Sequence, residues 1–188
     1  MTTPTIALVG GSTRPESVSE RALHVVAGQL AARGCAVELL TARDLLLPLY
    51  DPVSLHRTPQ ARNLVSALAS CDGLVLSTPT YHGGMSGLMK NALDYAEDLA
   101  SATPSYLDGR AVGCIATGWS DHGAATAVAD LRNSAQSLRA WTTPMGVPIN
   151  ALSRPDVFTD PRLLRRLDIL TDQVVTMARA RLATALPA

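Results

Sequence analysis

The stretch TIALVGGSTRPESVSE, residues 5–20, decides the fold. Thr5 to Val9 is a short continuous apolar run, the pattern of a strand buried on both faces. Gly10 and Gly11 break it. Ser17 or Ser19 then opens a helical pattern, because a serine hydroxyl accepts a hydrogen bond from the free amides of a first turn. Strand, glycine turn and helix make half of a βαβ unit, and the same alternation recurs downstream. Ala36 to Leu40, Gly73 to Ser77, Ala111 to Thr117 and Met145 to Asn150 read as further strands, the last an edge or irregular strand because of Pro144 and Pro148. Thr58-Pro59, Ser86 and Asp160-Pro161 mark later helix starts. Two of the helices carry apolar stripes: Ala124, Val128, Leu131, Ala135, Leu138, and Leu163, Leu167, Leu170, Val174, Met177. The proline-rich patch from Leu47 to Pro59 reads as a long surface connection. The expectation is one α/β domain over residues 1–188: five parallel strands, doubly wound with helices on both faces, in the order 2-1-3-4-5.

Composition narrows the function. The 188 residues carry 16 basic and 16 acidic side chains, with no run of like charges to form a nucleic-acid footprint. No apolar run approaches a membrane span, and the N-terminal MTTPTIALVGGSTR has no basic leader, so a cytoplasmic, membrane-free protein is expected. Cys35, Cys71 and Cys114 are odd in number and set among small apolar residues, which favours buried reduced thiols over a disulfide. His24, His56, His82 and His122 show no metal-ligand spacing.

In such a sheet the ligand lies beyond the carboxyl ends of the strands, where the strand order reverses. The loop after the first strand, residues 10–19, offers glycines, hydroxyls, amides at a helix start and the Arg14 guanidinium: an anion cradle, or a Ser-capped turn with a surface arginine. It is neither Gly-x-Gly-x-x-Gly nor a Walker A loop, so Glu38 near the end of the second strand, which could mimic a ribose-binding acid, lacks its accompanying glycines and reads rather as a solvated carboxylate, and nucleotide hydrolysis loses its support. The second loop, residues 77–87, is a glycine- and proline-shaped surface whose Tyr81 would cover an edge or face of a planar heterocycle, or else a turn with a half-buried tyrosine. The third, residues 116–123, pairs Gly118 with Trp119, a ligand wall or a core tryptophan, and places His122 at a phosphate, a nicotinamide or the surface.

Taken together, Gly11-Ser12-Thr13-Arg14-x-x-Ser17-x-Ser19, Thr78-Pro79-Thr80-Tyr81-His82 and Gly87-Leu88-Met89-Lys90-Asn91-Ala92-Leu93-Asp94 resemble, in order and spacing, the NADPH-dependent FMN reductase family of flavodoxin-like proteins. The family often has asparagine where Ser19 stands and asparagine or lysine where His82 stands. The resemblance implies that Ser12, Arg14, Ser17 and Ser19 bind the FMN phosphate. It implies that Pro79, Thr80, Tyr81, His82 and Gly83 line the isoalloxazine, with Thr117, Gly118 and Trp119 closing the far side. Lys90, the one lysine of the chain, would brace the second loop or a subunit contact through Asp94.

The expected reaction is hydride transfer from NADPH or NADH to flavin N5, so no acid–base dyad is needed, though His82 is a candidate hydrogen-bond donor to the reduced ring. Reduced FMN would pass to a flavin-dependent monooxygenase, or the bound flavin would reduce a small-molecule electron acceptor such as a quinone, an azo compound or a biosynthetic intermediate. The segment Trp141 to Arg154 is expected to help shape the substrate pocket. Neutral charge argues against a docking electron carrier, and a flavin-free phosphate-binding module remains a third class. A homodimer or homotetramer is expected through the apolar Leu88 to Leu99 helix and Leu45 to Tyr50.

Overall fold

The computed structural model describes residues 2–184. Strands β1 (Thr5–Gly10), β2 (Ala36–Leu40), β3 (Gly73–Tyr81), β5 (Ala111–Gly118) and β6 (Trp141–Asn150) form a parallel sheet in the order β2-β1-β3-β5-β6. The two-residue strand β4 (Gly84–Met85) is added antiparallel to the tip of β3. With β4 set aside, this is the 2-1-3-4-5 order expected from the alternation. Helices α1 (Val18–Ala32) and α5 (Pro161–Thr184) cover one face; α2 (Pro59–Ser70), α3 (Gly87–Asp94) and α4 (Asp121–Ser137) cover the other.

Strand alternation divides the core. Ile6 and Leu8 of β1 pack with Leu23, Leu30, Leu167 and Leu170 beneath α1 and α5, while Ala7 and Val9 face Leu64, Leu68 and Met89 on the other side. With both faces covered, the strands carry the continuous apolar runs seen in the sequence. Among the described residues every buried side-chain nitrogen and oxygen has a partner, and no helix is long and apolar enough to cross a membrane.

Several boundaries differ from the expectation. Strand β6 begins at Trp141 rather than Met145, because the register shifts between Val112 and Cys114 and Pro144 is absorbed in the irregularity. Gln173 satisfies the Met145 amide there, 2.9 Å away. Strand β3 runs to Tyr81 rather than Ser77. On α5 the buried stripe ends at Ala178, and Met177 is exposed, because a 4-3-4-3 spacing drifts off one face over several turns. The apolar residues offered for subunit contact are also redistributed: Leu45, Met89, Leu93 and Leu99 are buried in the chain's own core. What remains outside is the connection after β2, where Leu49, Val53 and Leu55 are almost fully exposed.

That connection is held as a strap. Arg57 grips Asp98 through Nε and Nη2 at 2.7 and 2.8 Å and lies over the Tyr50 ring. The Arg57 hydrogen bond holds the Asp98 carboxyl below its ordinary value. Asn91 closes the strap from α3, accepting from the Tyr50 amide and donating to the Pro48 carbonyl.

All three cysteines are buried and unpaired. Burial pushes the Cys71 thiol up to about 11 and the Cys114 thiol up to about 12, and raises Cys35 as well. The native protein is therefore expected to show no reactive thiol towards a chromogenic disulfide at pH 8, and all three of its cysteines after unfolding. Rapid native labelling of Cys71 or Cys114 would contradict this packing.

Candidate functional site

The carboxyl ends of β1, β3 and β5 place the three singled-out loops side by side. Beyond β1, the Gly11 amide still donates to the Ser77 carbonyl at 2.8 Å, and the chain then leaves the sheet. Ser17 caps α1, its hydroxyl accepting from the Glu20 amide at 3.2 Å, and the Ser12 hydroxyl accepts from the Arg14 amide at 3.2 Å. The amides of Ser12, Thr13, Ser17, Val18 and Ser19 donate to no acceptor among the described residues. Free amides at a helix start are a ready site for an anion. Arg14 is exposed beside them and forms no ion pair among the described residues.

Ser19 differs from its neighbours. It is buried, its hydroxyl lies 3.1 Å from that of Ser17, and its carbonyl accepts from the Ser77 hydroxyl at 2.8 Å. Its side chain positions Ser17 and ties α1 to β3.

The second loop is a strand extension closed by a tight hairpin. Tyr81 pairs with Gly84 and Thr80 with Met85, while His82 and Gly83 adopt φ of 51° and 87°. Two successive left-handed residues give a two-residue turn of the I′ kind, for which Asn-Gly is the favoured pair. The sequence reading missed it because His-Gly is a weaker signal and β4 has only two residues. The hairpin is braced from α4, where an Asp130 carboxylate oxygen accepts from the Met85 amide at 2.9 Å. Tyr81 and His82 stand exposed at the tip.

The third loop follows β5. Thr117 and Gly118 are buried, and the Thr80 hydroxyl donates to the Gly123 carbonyl at 3.2 Å, joining hairpin and α4. Trp119 is 82% exposed, so it is no core residue. His122 is exposed in the first turn of α4. Trp141 is removed from the site altogether: it pairs with Ala111 at the opposite end of the sheet. Lys90 pairs with Asp94 on its own helix and does not brace the second loop.

One hydroxyl joins the first two loops. Ser86 Oγ donates to the Gly11 carbonyl at 2.6 Å and accepts from the Met89 amide at 3.1 Å as the cap of α3. The Thr78 hydroxyl donates to Ser86 Oγ at 3.3 Å and accepts from the Ser86 amide at 3.0 Å. This leaves no room beside Gly11, where a Cβ would meet Met89 Cβ at 2.8 Å and Ser86 Oγ at 2.9 Å.

An anion cradle, a backbone hairpin bearing an aromatic tip and an aromatic third loop form an open shelf. The residues present fit a flavin mononucleotide: unpartnered amides for its phosphate, and exposed rings with turn backbone for its heterocycle. Residues 4–151 match the family described as NADPH-dependent FMN reductase. The chain belongs to that family. It is 30% identical to the NADH-dependent FMN reductase SfnE of Pseudomonas putida over 154 residues, 78% of this chain and 77% of that one. It is 33% identical to a 2-hydroxy-1,4-benzoquinone reductase of a Burkholderia species over 118 residues, which are 60% of this chain and 63% of that relative, less than two thirds of its length. The fold of this FMN reductase family member matches FerB, a flavoenzyme NAD(P)H:(acceptor) oxidoreductase of Paracoccus denitrificans, with a TM-score of 0.73 at 21% identity, over 93% of this chain and 99% of that one.

Ser86→Ala is expected to lower the free energy of unfolding by about 1–3 kcal/mol, since it removes a helix cap and leaves a buried carbonyl without its donor. It is also expected to weaken FMN binding, because Gly11 starts the cradle. Urea unfolding and equilibrium dialysis against FMN check both; unchanged values would separate the two loops.

Proposed function

We propose that this chain is an NAD(P)H-dependent FMN reductase acting as one FMN-binding unit over residues 1–188. The observation that carries the proposal is the set of unpartnered amides around Ser12 and Ser17 beside the His82-Gly83 hairpin at the end of β3. Ser12, Ser17 and Arg14 hold the phosphate, with Ser19 fixing Ser17 in place. Pro79, Thr80, Tyr81, His82 and Gly83 present backbone and ring to one side of the isoalloxazine, with Thr117, Gly118 and Trp119 on the other. Bound FMN supplies the hydride acceptor for a nicotinamide donor. The protein's part is placement: exposed Tyr81 and Trp119 leave a planar surface for the two rings to meet, and backbone dipoles of the hairpin stabilise negative charge arriving on the ring system.

The acceptor is a small molecule such as a quinone, the class named by the benzoquinone reductase relative. Delivery of reduced FMN to a flavin-dependent monooxygenase is the alternative use of the same open shelf. The exposed Leu49, Val53 and Leu55 support a homodimer or homotetramer, and three buried thiols are consistent with a cytoplasmic setting.

With excess FMN, the purified protein is expected to oxidise NADPH or NADH, followed as loss of nicotinamide absorbance. Arg14→Ala is expected to weaken FMN binding about tenfold while leaving the fold intact. Absence of turnover with either nucleotide under saturating FMN would overturn the reductase assignment.

A further inference from the structure

A cavity of about 290 Å³ lies at the carboxyl end of β6, away from the phosphate cradle. Its walls come from the end of β6, the turn after it and the start of α5, and they carry Arg154, Arg162 and Arg166 together with Asn150 and Ser153. The acidic groups facing it are Asp121 and Asp160. Three guanidiniums against two carboxylates make this a locally cationic chamber in a chain of zero net charge.

The three arginines are not equivalent. Arg154 is engaged by Asp160 at 3.5 Å. Arg166 points its guanidinium at the Gly146 and Pro148 carbonyls, at 3.3 and 3.4 Å, so it is aimed by the strand edge without being neutralised. Arg162 forms no ion pair or side-chain hydrogen bond among the described residues. Asp121 is in the first turn of α4, where a carboxylate is favoured by the helix dipole. Two guanidiniums therefore face the cavity without a carboxylate of their own, and paired guanidinium forks suit a phosphate monoester.

The cavity adjoins the flavin shelf. Asn150 is in register with Gly118, and the Ala151 amide donates to the Gly118 carbonyl at 2.7 Å, so its rim lies about 5 Å, one strand spacing, from the third loop. Trp119, 82% exposed, is two residues before Asp121 of the cavity wall. The cradle at β1 is three strand spacings away, on the order of 14 Å, and it already accounts for the single phosphate of FMN. The anion for the second chamber must come from the other ligand that meets the ring.

We propose, resting on the reductase reading, that this chamber takes the 2′-phosphate of NADPH, with Arg162 and Arg166 as the residues that set preference for NADPH over NADH. A dinucleotide held there would have its adenosine end at the carboxyl end of β6, with the third loop, one strand spacing away, between that end and the shelf. A ribose 2′-phosphate differs from a 2′-hydroxyl by a dianion, and an arginine nearby is the general means of accommodating it.

Calorimetric titration with 2′,5′-ADP and 5′-AMP tests the chamber without turnover. The expected result is at least about tenfold tighter binding of 2′,5′-ADP, a difference largely lost in Arg162→Ala and kept in Arg165→Ala, an exposed arginine of the same helix outside the cavity. In steady state, Arg162→Ala lowers kcat/KM for NADPH about tenfold more than for NADH. Equal affinity for the two nucleotides, or an equal loss for both in Arg162→Ala, overturns the proposal while leaving the reductase assignment intact. Selective 2′,5′-ADP binding without any nicotinamide oxidation upholds the chamber and overturns the reductase assignment.

Discussion

The hydroxyl of Ser86 is the constraint on which the site depends. It ends one loop, starts a helix and holds the carbonyl of another loop, through bonds to Gly11, Met89 and Thr78. The ladder between β1 and β3 ends at Gly10 and Ser77, with the Gly11 amide on the Ser77 carbonyl, and beyond it the two loops diverge unless a side chain holds them. The tie is buried, so each of its bonds is strong and each loss leaves an unsatisfied group. Gly11 is the cost of this closeness: only a residue without Cβ leaves room for Ser86 and Met89.

Around this fixed corner the structure is left open where chemistry needs access. Buried side-chain nitrogens and oxygens all have partners among the described residues, whereas several amides of the first loop have none and the Tyr81 and Trp119 side chains are exposed. Positive charge follows the same division. Arg57 and Arg110 serve the fold, the first on Asp98 and the second, almost wholly buried, on the carbonyls of Ala69 and Cys71. Arg14 and Arg162 have no carboxylate partner among the described residues and lie on either side of the shelf. Two of the arginines without a carboxylate thus stand where the anionic ends of small ligands are proposed to fit.

Much of the fold was legible because its signals are local. Five apolar runs, the caps Ser17, Thr58 and Ser86, and the glycine turn after β1 each act within a few residues and together mark the strand–helix alternation, from which the strand order follows by right-handed crossovers with helices on both faces. Features made by distant residues were not legible. That Ser86 also holds Gly11, 75 positions away, follows only from the packed sheet. Asn91 belongs to the Lys90-Asn91-x-x-Asp94 pattern, yet its bonds to the strap at Pro48 and Tyr50 exist only in the packed fold. The His82-Gly83 hairpin was hidden by weak turn chemistry, and the arginine chamber by its assembly from three separate elements. The end of the segment from Trp141 to Arg154 does line that chamber, while Trp141 itself sits at the far end of its strand.

The central claim is that the first loop exists to hold the phosphate of a flavin mononucleotide. Comparing dissociation constants for FMN and riboflavin, by quenching of flavin fluorescence, tests it most directly, because the two ligands differ only in that phosphate. The account predicts FMN binding at least about a hundredfold tighter than riboflavin, a difference that shrinks in Arg14→Ala. Equal affinities for the two flavins would contradict it.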